Sequence, residues 1–263
     1  MLVLLDQGNS SLKAALWEES VRRTSRMPHE GGSPPWEDWA REHPDARLLG
    51  VSVTPSRRGA LETALGRWWG AGVEWVDVGW RFPFSLEPLV SPGTTGADRL
   101  AQAAGAVRLE PGAGGWIVVA VGTAITVDLV DLERGFLGGA ILPGPELFLS
   151  SLGGAADQLP AGLPVPPFPR RSWGADTRSA MGVGATWGSL GAVRLLVGRA
   201  VDRLGGSAAV VVTGGGGAEW ASRLEPPARY EPHLVFHGLA GLAERNPPRG
   251  PDPSVPKSTP DGQ

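Results

Sequence analysis

Apolar residues in this chain come in short runs that stop on polar, glycine-containing corners, and that pattern recurs. Leu2-Val3-Leu4-Leu5 ends at Asp6, turns through Gly8, and resumes as Leu12, Ala14 and Leu16 at alternate positions. A run followed by period-two alternation predicts a buried strand, a tight turn and a second strand. Leu48 to Val53 and Val73 to Val78 read as two further strands. Gly96-Ala97-Asp98-Arg99 opens a helix, with Leu100, Ala103, Ala104 and Val107 on one face. Beyond the break from Pro111 to Gly115, Trp116 to Val121 is a strongly apolar strand, turned by Gly122-Thr123-Ala124. Ile125, Val127 and Leu129 alternate in the next strand, and Glu133-Arg134-Gly135 turns into a third, Phe136 to Ile141. These three form a meander.

The two corners lie over one another: Ala120-Val121-Gly122-Thr123 matches Asp6-Gln7-Gly8-Asn9, each behind an apolar strand. An internal duplication of one α/β unit accounts for this, with the first unit expected over residues 1–110 and the second over 111–246. Thr177 to Leu204 reads as a long helix capped by Asp176, its Gly184, Gly188 and Gly191 permitting close approach of a neighbour. Ala208 to Val212 is a strand leading into Thr213-Gly214-Gly215-Gly216-Gly217 and a short helix from Ala218. Residues 247–263, rich in proline and poor in apolar side chains, are expected to be a disordered tail.

Composition narrows the function. With 41% hydrophobic residues in 263, the chain can bury a real core. Its net charge of −3, with arginines scattered, offers no basic face for nucleic acid or an anionic membrane. The first apolar run is too short for a signal-peptide core, and no uncharged apolar stretch reaches the ~18 residues of a membrane span. A cytoplasmic protein is expected. The absence of cysteine excludes disulfides, thiolate zinc sites and cysteine nucleophiles. Trp36, Trp39, Trp68, Trp69, Trp75 and Trp80 read as packing anchors, because no basic groove accompanies them as a base-stacking platform would require.

The chemistry sits in the corners. A short polar turn can aim backbone N–H groups and the hydroxyls of Ser10 and Ser11 at an anion, while Asp6 positions a divalent cation beside it. Taken alone, the segment reads more readily as a surface hairpin whose Asp, Asn and Ser serve the turn. A glycine loop between strand and helix, as at Thr213 to Gly217, can let a ligand lie against bare backbone or serve only as a turn. A nucleotide cleft between duplicated halves requires one phosphate corner from each half and an opening for adenosine, and all three occur in order.

In that order the chain resembles the type III pantothenate kinases, of the actin-like, sugar-kinase and Hsp70-type ATPase superfamily. The resemblance rests on Asp6-Gln7-Gly8-Asn9-Ser10-Ser11-Leu12-Lys13, Gly96-Ala97-Asp98-Arg99, Gly122-Thr123-Ala124-Ile125-Thr126-Val127-Asp128, Leu137-Gly138-Gly139-Ala140-Ile141-Leu142-Pro143-Gly144, Thr177, Thr213-Gly214-Gly215 and Gly238-Leu239. It implies two duplicated actin-like (ribonuclease H-like) α/β domains with a nucleotide cleft between them. It implies ATP-dependent phosphorylation of pantothenate to 4'-phosphopantothenate, the first step towards coenzyme A. Asp6, Gln7, Gly8, Asn9, Ser10, Ser11, Leu12, Lys13 and Thr123 would then hold ATP, with Asp6 on the Mg2+ side. Gly96, Ala97, Asp98, Arg99 and Thr177 would line the pantothenate site, with Asp98 as general base and Arg99 free to meet the anionic substrate. A homodimer with the site near its interface is also implied.

At a helix start Asp98 feels the positive dipole end, which predicts an ionised carboxylate of low proton affinity; a cap paired to an arginine is its structural alternative. The sequence departs from the family at two places. Ala120 stands where the family places an Asp associated with a monovalent cation (K+ or NH4+), so that cofactor is in doubt, although Asp128 could occupy the space. Leu89 stands where a substrate-contacting Tyr is usual, and the only tyrosine is Tyr230. Two other functions remain: a superfamily kinase acting on a different small hydroxylated or carboxylate substrate, and a non-catalytic regulatory accessory protein that keeps the fold.

Overall fold

The computed structural model describes residues 1–28, 35–70, 72–169 and 173–248. Residues 249–263, most of the expected tail, lie outside the described residues.

Two five-stranded sheets carry the fold, and both have the same construction. In the first, β1 (Leu2–Gln7), β2 (Ser11–Trp17) and β3 (Val21–Pro28) form an antiparallel meander, and β4 (Arg47–Ser52) and β5 (Glu74–Trp75) add in parallel on the other side of β1. The order is β3-β2-β1-β4-β5. The second repeats it with β6 (Gly115–Val121), β7 (Ala124–Asp131), β8 (Gly135–Pro143), β9 (Ala208–Gly214) and β10 (Ala228–Tyr230), in the order β8-β7-β6-β9-β10. The fold is therefore the expected α/β architecture of two duplicated sheets, each led by a strand–corner–strand unit.

Strand periodicity sorts the core into layers. Val3, Leu5, Ala14 and Leu16 face outward onto α1 (Trp36–Glu42) and α2 (Arg58–Trp69), packing on Trp36, Trp39 and Trp69. Those tryptophans are packing anchors as expected, whereas Trp68 is exposed. Leu4, Leu49 and Val51 on the other face meet α3 (Ala97–Leu109) and α8 (Leu234–Arg245). Trp116, Val118 and Val130 of the second sheet join the same cluster, so α3 and α8 lie between the sheets. The two helices cross closely at Gly105 and Gly238. A Cβ on Gly105 would come within 2.2 Å of the Leu234 carbonyl oxygen, and one on Gly238 within 1.8 Å of that of Ala101. On the far face of the second sheet, Ile117, Val119, Ile125 and Val127 pack on α6 (Ser189–Arg203) and α7 (Gly217–Ala221).

After α4 (Pro145–Ala155), the long helix forms from Thr177 as α5 (Thr177–Val183), a single π-turn, and α6. Asp176 caps it by accepting from the Ser179 N–H at 2.8 Å, and the Ser179 hydroxyl accepts from the Asp176 N–H, a reciprocal capping box. Among the described residues the small-residue stripe does not serve close approach: a Cβ on Gly188 or Gly191 would meet nothing within 4 Å, and one on Gly184 would meet the Phe148 ring. By length and composition Thr177–Arg203 is apolar enough to cross a membrane, although Arg178 and Arg194 keep its uncharged run short of a full span, as the sequence led one to expect. Its apolar residues Leu190, Val193, Val197 and Ala200 are nevertheless buried against the second sheet, as in a core helix.

Candidate active site

Each corner closes with a backbone bond. The Gly8 N–H donates to the Ser11 carbonyl at 3.1 Å, and the Gly122 N–H to the Ala124 carbonyl at 3.0 Å. The corners meet, with Ser10 Oγ and Thr123 Oγ1 3.1 Å apart although 113 positions separate them in sequence. Both residues are exposed, so the pair of hydroxyls lies at an open mouth between the two halves.

Residues of the first corner divide by strand parity. Asp6 shares the inner face of β1 with Leu4 and is directly opposite Lys13 in the antiparallel register, so Lys13 Nζ reaches Asp6 Oδ2 at 3.0 Å. Gln7 points the other way and is buried, its side chain accepting from Ser52 Oγ at 2.7 Å and donating to the Arg57 carbonyl at 3.3 Å. Leu12 packs in the outer core. The Gln7 and Leu12 side chains thus support the corner from behind, leaving their backbone groups as what they could offer a ligand. Asn9 and Ser10 are exposed at the tip, and Ser11 is buried with its hydroxyl accepting from Arg26 Nε at 3.3 Å.

Asp98 enters from the first turn of α3, at the end where Asp6 lies. Gly96 is the N-cap, and a Cβ there would sit 2.5 Å from Asp98 Oδ1, so the missing side chain makes room for the carboxylate. Burial raises the Asp98 proton affinity above the ordinary carboxylate range, and the Asp6 charge and then that of Asp128 add to it; the Arg99 backbone N–H and guanidinium oppose. The low affinity expected from the helix dipole is therefore overturned. Desolvation and two neighbouring carboxylates outweigh the Arg99 backbone N–H and guanidinium.

The Arg99 guanidinium, expected at the substrate anion, is engaged by Asp128. Its Nε lies 3.0 and 3.2 Å from the two oxygens of Asp128, and its Nη2 also donates to Asp128 Oδ1. Asp128 has no exposed surface. Gly139, directly across the ladder on β8, makes this possible, since a Cβ there would lie 2.4 Å from Asp128 Oδ1 and 3.0 Å from Arg99 Nη2. Gly144, further along the same Leu-Gly-Gly motif, donates its N–H to the Thr123 carbonyl at 2.9 Å, and a Cβ on it would fall 2.0 Å from the Gly122 oxygen. This segment thus braces both the pair and the second corner. Neither role was legible without the strand register.

A magnesium ion in phosphoryl transfer is commonly held by one or two carboxylates plus phosphate oxygens, and Asp6 at the corner mouth fits that use. No cluster of three or more His, Cys, Asp or Glu is present among the described residues. A monovalent cation fits less well. Ala120 occupies the second-half position equivalent to Asp6, opposite Thr126 in the register, and supplies no ligand. Asp128 is held by Arg99 and does not take its place.

Thr177 is exposed in the first turn of α5. Leu89, at the position of the expected tyrosine, lies 4.0 Å from where a Gly138 Cβ would be. Tyr230 serves the glycine loop: its hydroxyl donates to the Gly214 carbonyl at 3.0 Å, and its ring covers Gly217. Gly214 has φ of +99°, a conformation that favours glycine, where the loop crosses the end of β6.

Comparison with known proteins points to one family. The sequence model of a family described as type III pantothenate kinase matches residues 2–199. A type III pantothenate kinase from Halorhodospira halophila is 33% identical over 251 residues, covering 91% of this chain and 96% of that protein. One from Laribacter hongkongensis is 33% identical over 245 residues, covering 92% and 98%. Among solved structures, a Campylobacter jejuni protein described as belonging to the Baf family of transcriptional activators superposes with a TM-score of 0.58 at 20% identity, covering 94% of this chain and 99% of that one.

Proposed function

The chain belongs to the type III pantothenate kinase family and is a kinase that phosphorylates pantothenate in coenzyme A biosynthesis; we propose that it does so with ATP held between the two corners, and with Asp98 as the base. The observation that carries this reading is the contact of Ser10 Oγ with Thr123 Oγ1, which joins the corners beside Asp6 and Asp98.

In the proposed reaction the primary hydroxyl of pantothenate attacks the γ-phosphorus. An O–P bond forms, the bond to the ADP oxygen breaks, and the hydroxyl proton passes to the Asp98 carboxylate. With a loose transition state the proton leaves late, so positioning matters more than basicity. The raised proton affinity of Asp98 helps it accept that proton. Asp6 would hold magnesium with the phosphates, and Lys13, next to Asp6, would share its ammonium with a phosphate oxygen. Magnesium supplies charge neutralisation there.

The exposed position of Thr177 fits a pantothenate site completed between two copies of the chain. Use of ATP and pantothenate supports a cytoplasmic location. A regulatory role finds no support in the corner residues, because Asp6 and Asp98 are both retained. Steady-state kinetics test the nucleotide site. Ser10→Ala and Thr123→Ala are each expected to raise the KM for ATP roughly tenfold, the scale of one hydrogen bond to a charged oxygen, with the KM for pantothenate little changed. Unaltered ATP kinetics in both variants would contradict the two-corner site.

A further inference from the structure

Arg99 stands next to the proposed base, and its guanidinium is bonded to Asp128 of the second sheet. The arginine belongs to α3, whose other neighbours include β4 of the first sheet, while Asp128 belongs to β7 of the second. Three separate features serve this one contact. Asp128 lies on the inner face of β7, opposite Val118, and is fully buried. Gly139 leaves the space that the pair occupies. The Phe136 ring lies 5.9 Å from the guanidinium carbon, closing the apolar side. Buried ion pairs are weak sources of net stability, because desolvation offsets their attraction, whereas their directional bonds fix geometry.

We infer that the Arg99–Asp128 pair is a strut between the two halves that sets the position of Asp98, so that Asp128 is a positioning residue for phosphoryl transfer. The inference rests on the pantothenate-kinase reading and deepens it. Arg99 follows Asp98 directly in the chain, and its backbone N–H donates to the Gly96 carbonyl at 3.1 Å in the first turn of α3. Fixing the Arg99 side chain on β7 therefore fixes the first turn of α3 relative to the strand that starts at the Thr123 corner. A displacement of about 1 Å at a reacting group can lower rate by about a hundredfold, so the strut has kinetic consequences without touching substrate.

The test uses three variants of the full chain: Asp128→Asn, Arg99→Lys, and the double variant Arg99→Met with Asp128→Leu. Each is measured for kcat, for KM for pantothenate at saturating MgATP, and for its melting midpoint. Asp128→Asn leaves a buried guanidinium without its countercharge, and its midpoint should fall by roughly 10 °C. The strut predicts that kcat falls about a hundredfold in Asp128→Asn and at least about tenfold in Arg99→Lys, with KM for pantothenate within about threefold of the parent. The double variant removes both buried charges, so its midpoint should return close to the parent value while kcat stays low. Recovery of kcat along with the midpoint in the double variant would show a pair that serves stability alone and would overturn the inference. A raised KM at unchanged kcat in Arg99→Lys would overturn it too, by making the arginine a substrate ligand. A parent chain inactive on pantothenate would remove the functional reading and the strut's catalytic role together, whereas an active parent with normal kcat in Asp128→Asn removes the strut alone.

Discussion

Gly96→Ala isolates the position of the Asp98 carboxylate from everything else at the site. The backbone at Gly96 has φ −56° and ψ 131°, which alanine adopts without strain, so the added methyl is the whole perturbation. That methyl would lie 2.5 Å from Asp98 Oδ1, where real contacts below 3.0 Å essentially do not occur. The carboxylate must therefore retreat by about half an ångström or rotate about χ1, away from its place beside Asp6. If a shift of about 1 Å can lower rate about a hundredfold, kcat should fall between about tenfold and a hundredfold. Stability should change little. Alanine is a poorer N-cap than glycine, but it also narrows the unfolded ensemble, and these effects oppose each other to within about 1 kcal/mol. The melting midpoint should then move by less than about 4 °C. Steady-state kinetics with MgATP and pantothenate, beside a thermal melt, provide the assay. In the background of Asp98→Asn the same substitution should have almost no further effect on kcat, because its target is already disabled. A Gly96→Ala enzyme with parental kcat would refute the reasoning, and so would an equal loss with and without Asp98.

The raised proton affinity of Asp98 has a defined pH consequence. The base works ionised, so activity is present above its folded-state pKa and is lost as pH falls through it, at a pH above the ordinary Asp value of about 3.9; a pH–kcat/KM profile checks this. Because burial disfavours the ionised form in the folded state, Asp98→Asn should raise the melting midpoint at neutral pH while lowering kcat about 10²- to 10⁴-fold. Gly144→Ala forces a methyl to within 2.0 Å of the Gly122 carbonyl oxygen, so it should lower stability by about 1–3 kcal/mol and raise the KM for ATP; unchanged nucleotide kinetics would separate Gly144 from the second corner. Ala120→Asp restores a carboxylate opposite Thr126, and potassium, compared with sodium, should raise that variant's melting midpoint and rate more than the parent's. Strong activation of the parent by low potassium would contradict the loss of the site.

Local pattern carried the reading as far as local pattern reaches. The meander of β6, β7 and β8, both corners, and the Asp176 cap follow from periodicity and turn chemistry, and each formed where those signals lie. The family motifs added the order of the site. What the chain did not disclose depends on partners distant in sequence. The proton affinity of Asp98 is set by burial and by Asp6 and Asp128, so a helix-dipole argument built on its immediate neighbours took the wrong sign. Arg99 and Asp128 are 29 positions apart and meet only because α3 lies between the sheets. Gly139 and Gly144 look alike as motif glycines, yet one clears a buried ion pair and the other clears a corner carbonyl. Conversely, the stripe of Gly184, Gly188 and Gly191 suggested a packed neighbour and met almost none, because small residues permit close approach without requiring it.

Transfer of labelled phosphate from γ-labelled ATP to pantothenate tests the central claim most directly, with magnesium present and with sugars, acetate and glycerol as competing acceptors, for the parent chain and for Asp98→Asn. The account predicts labelled 4'-phosphopantothenate from the parent, no comparable transfer to the other acceptors, and a loss of about 10²- to 10⁴-fold in the variant. Transfer to another acceptor in preference to pantothenate, or parental turnover in Asp98→Asn, would contradict it.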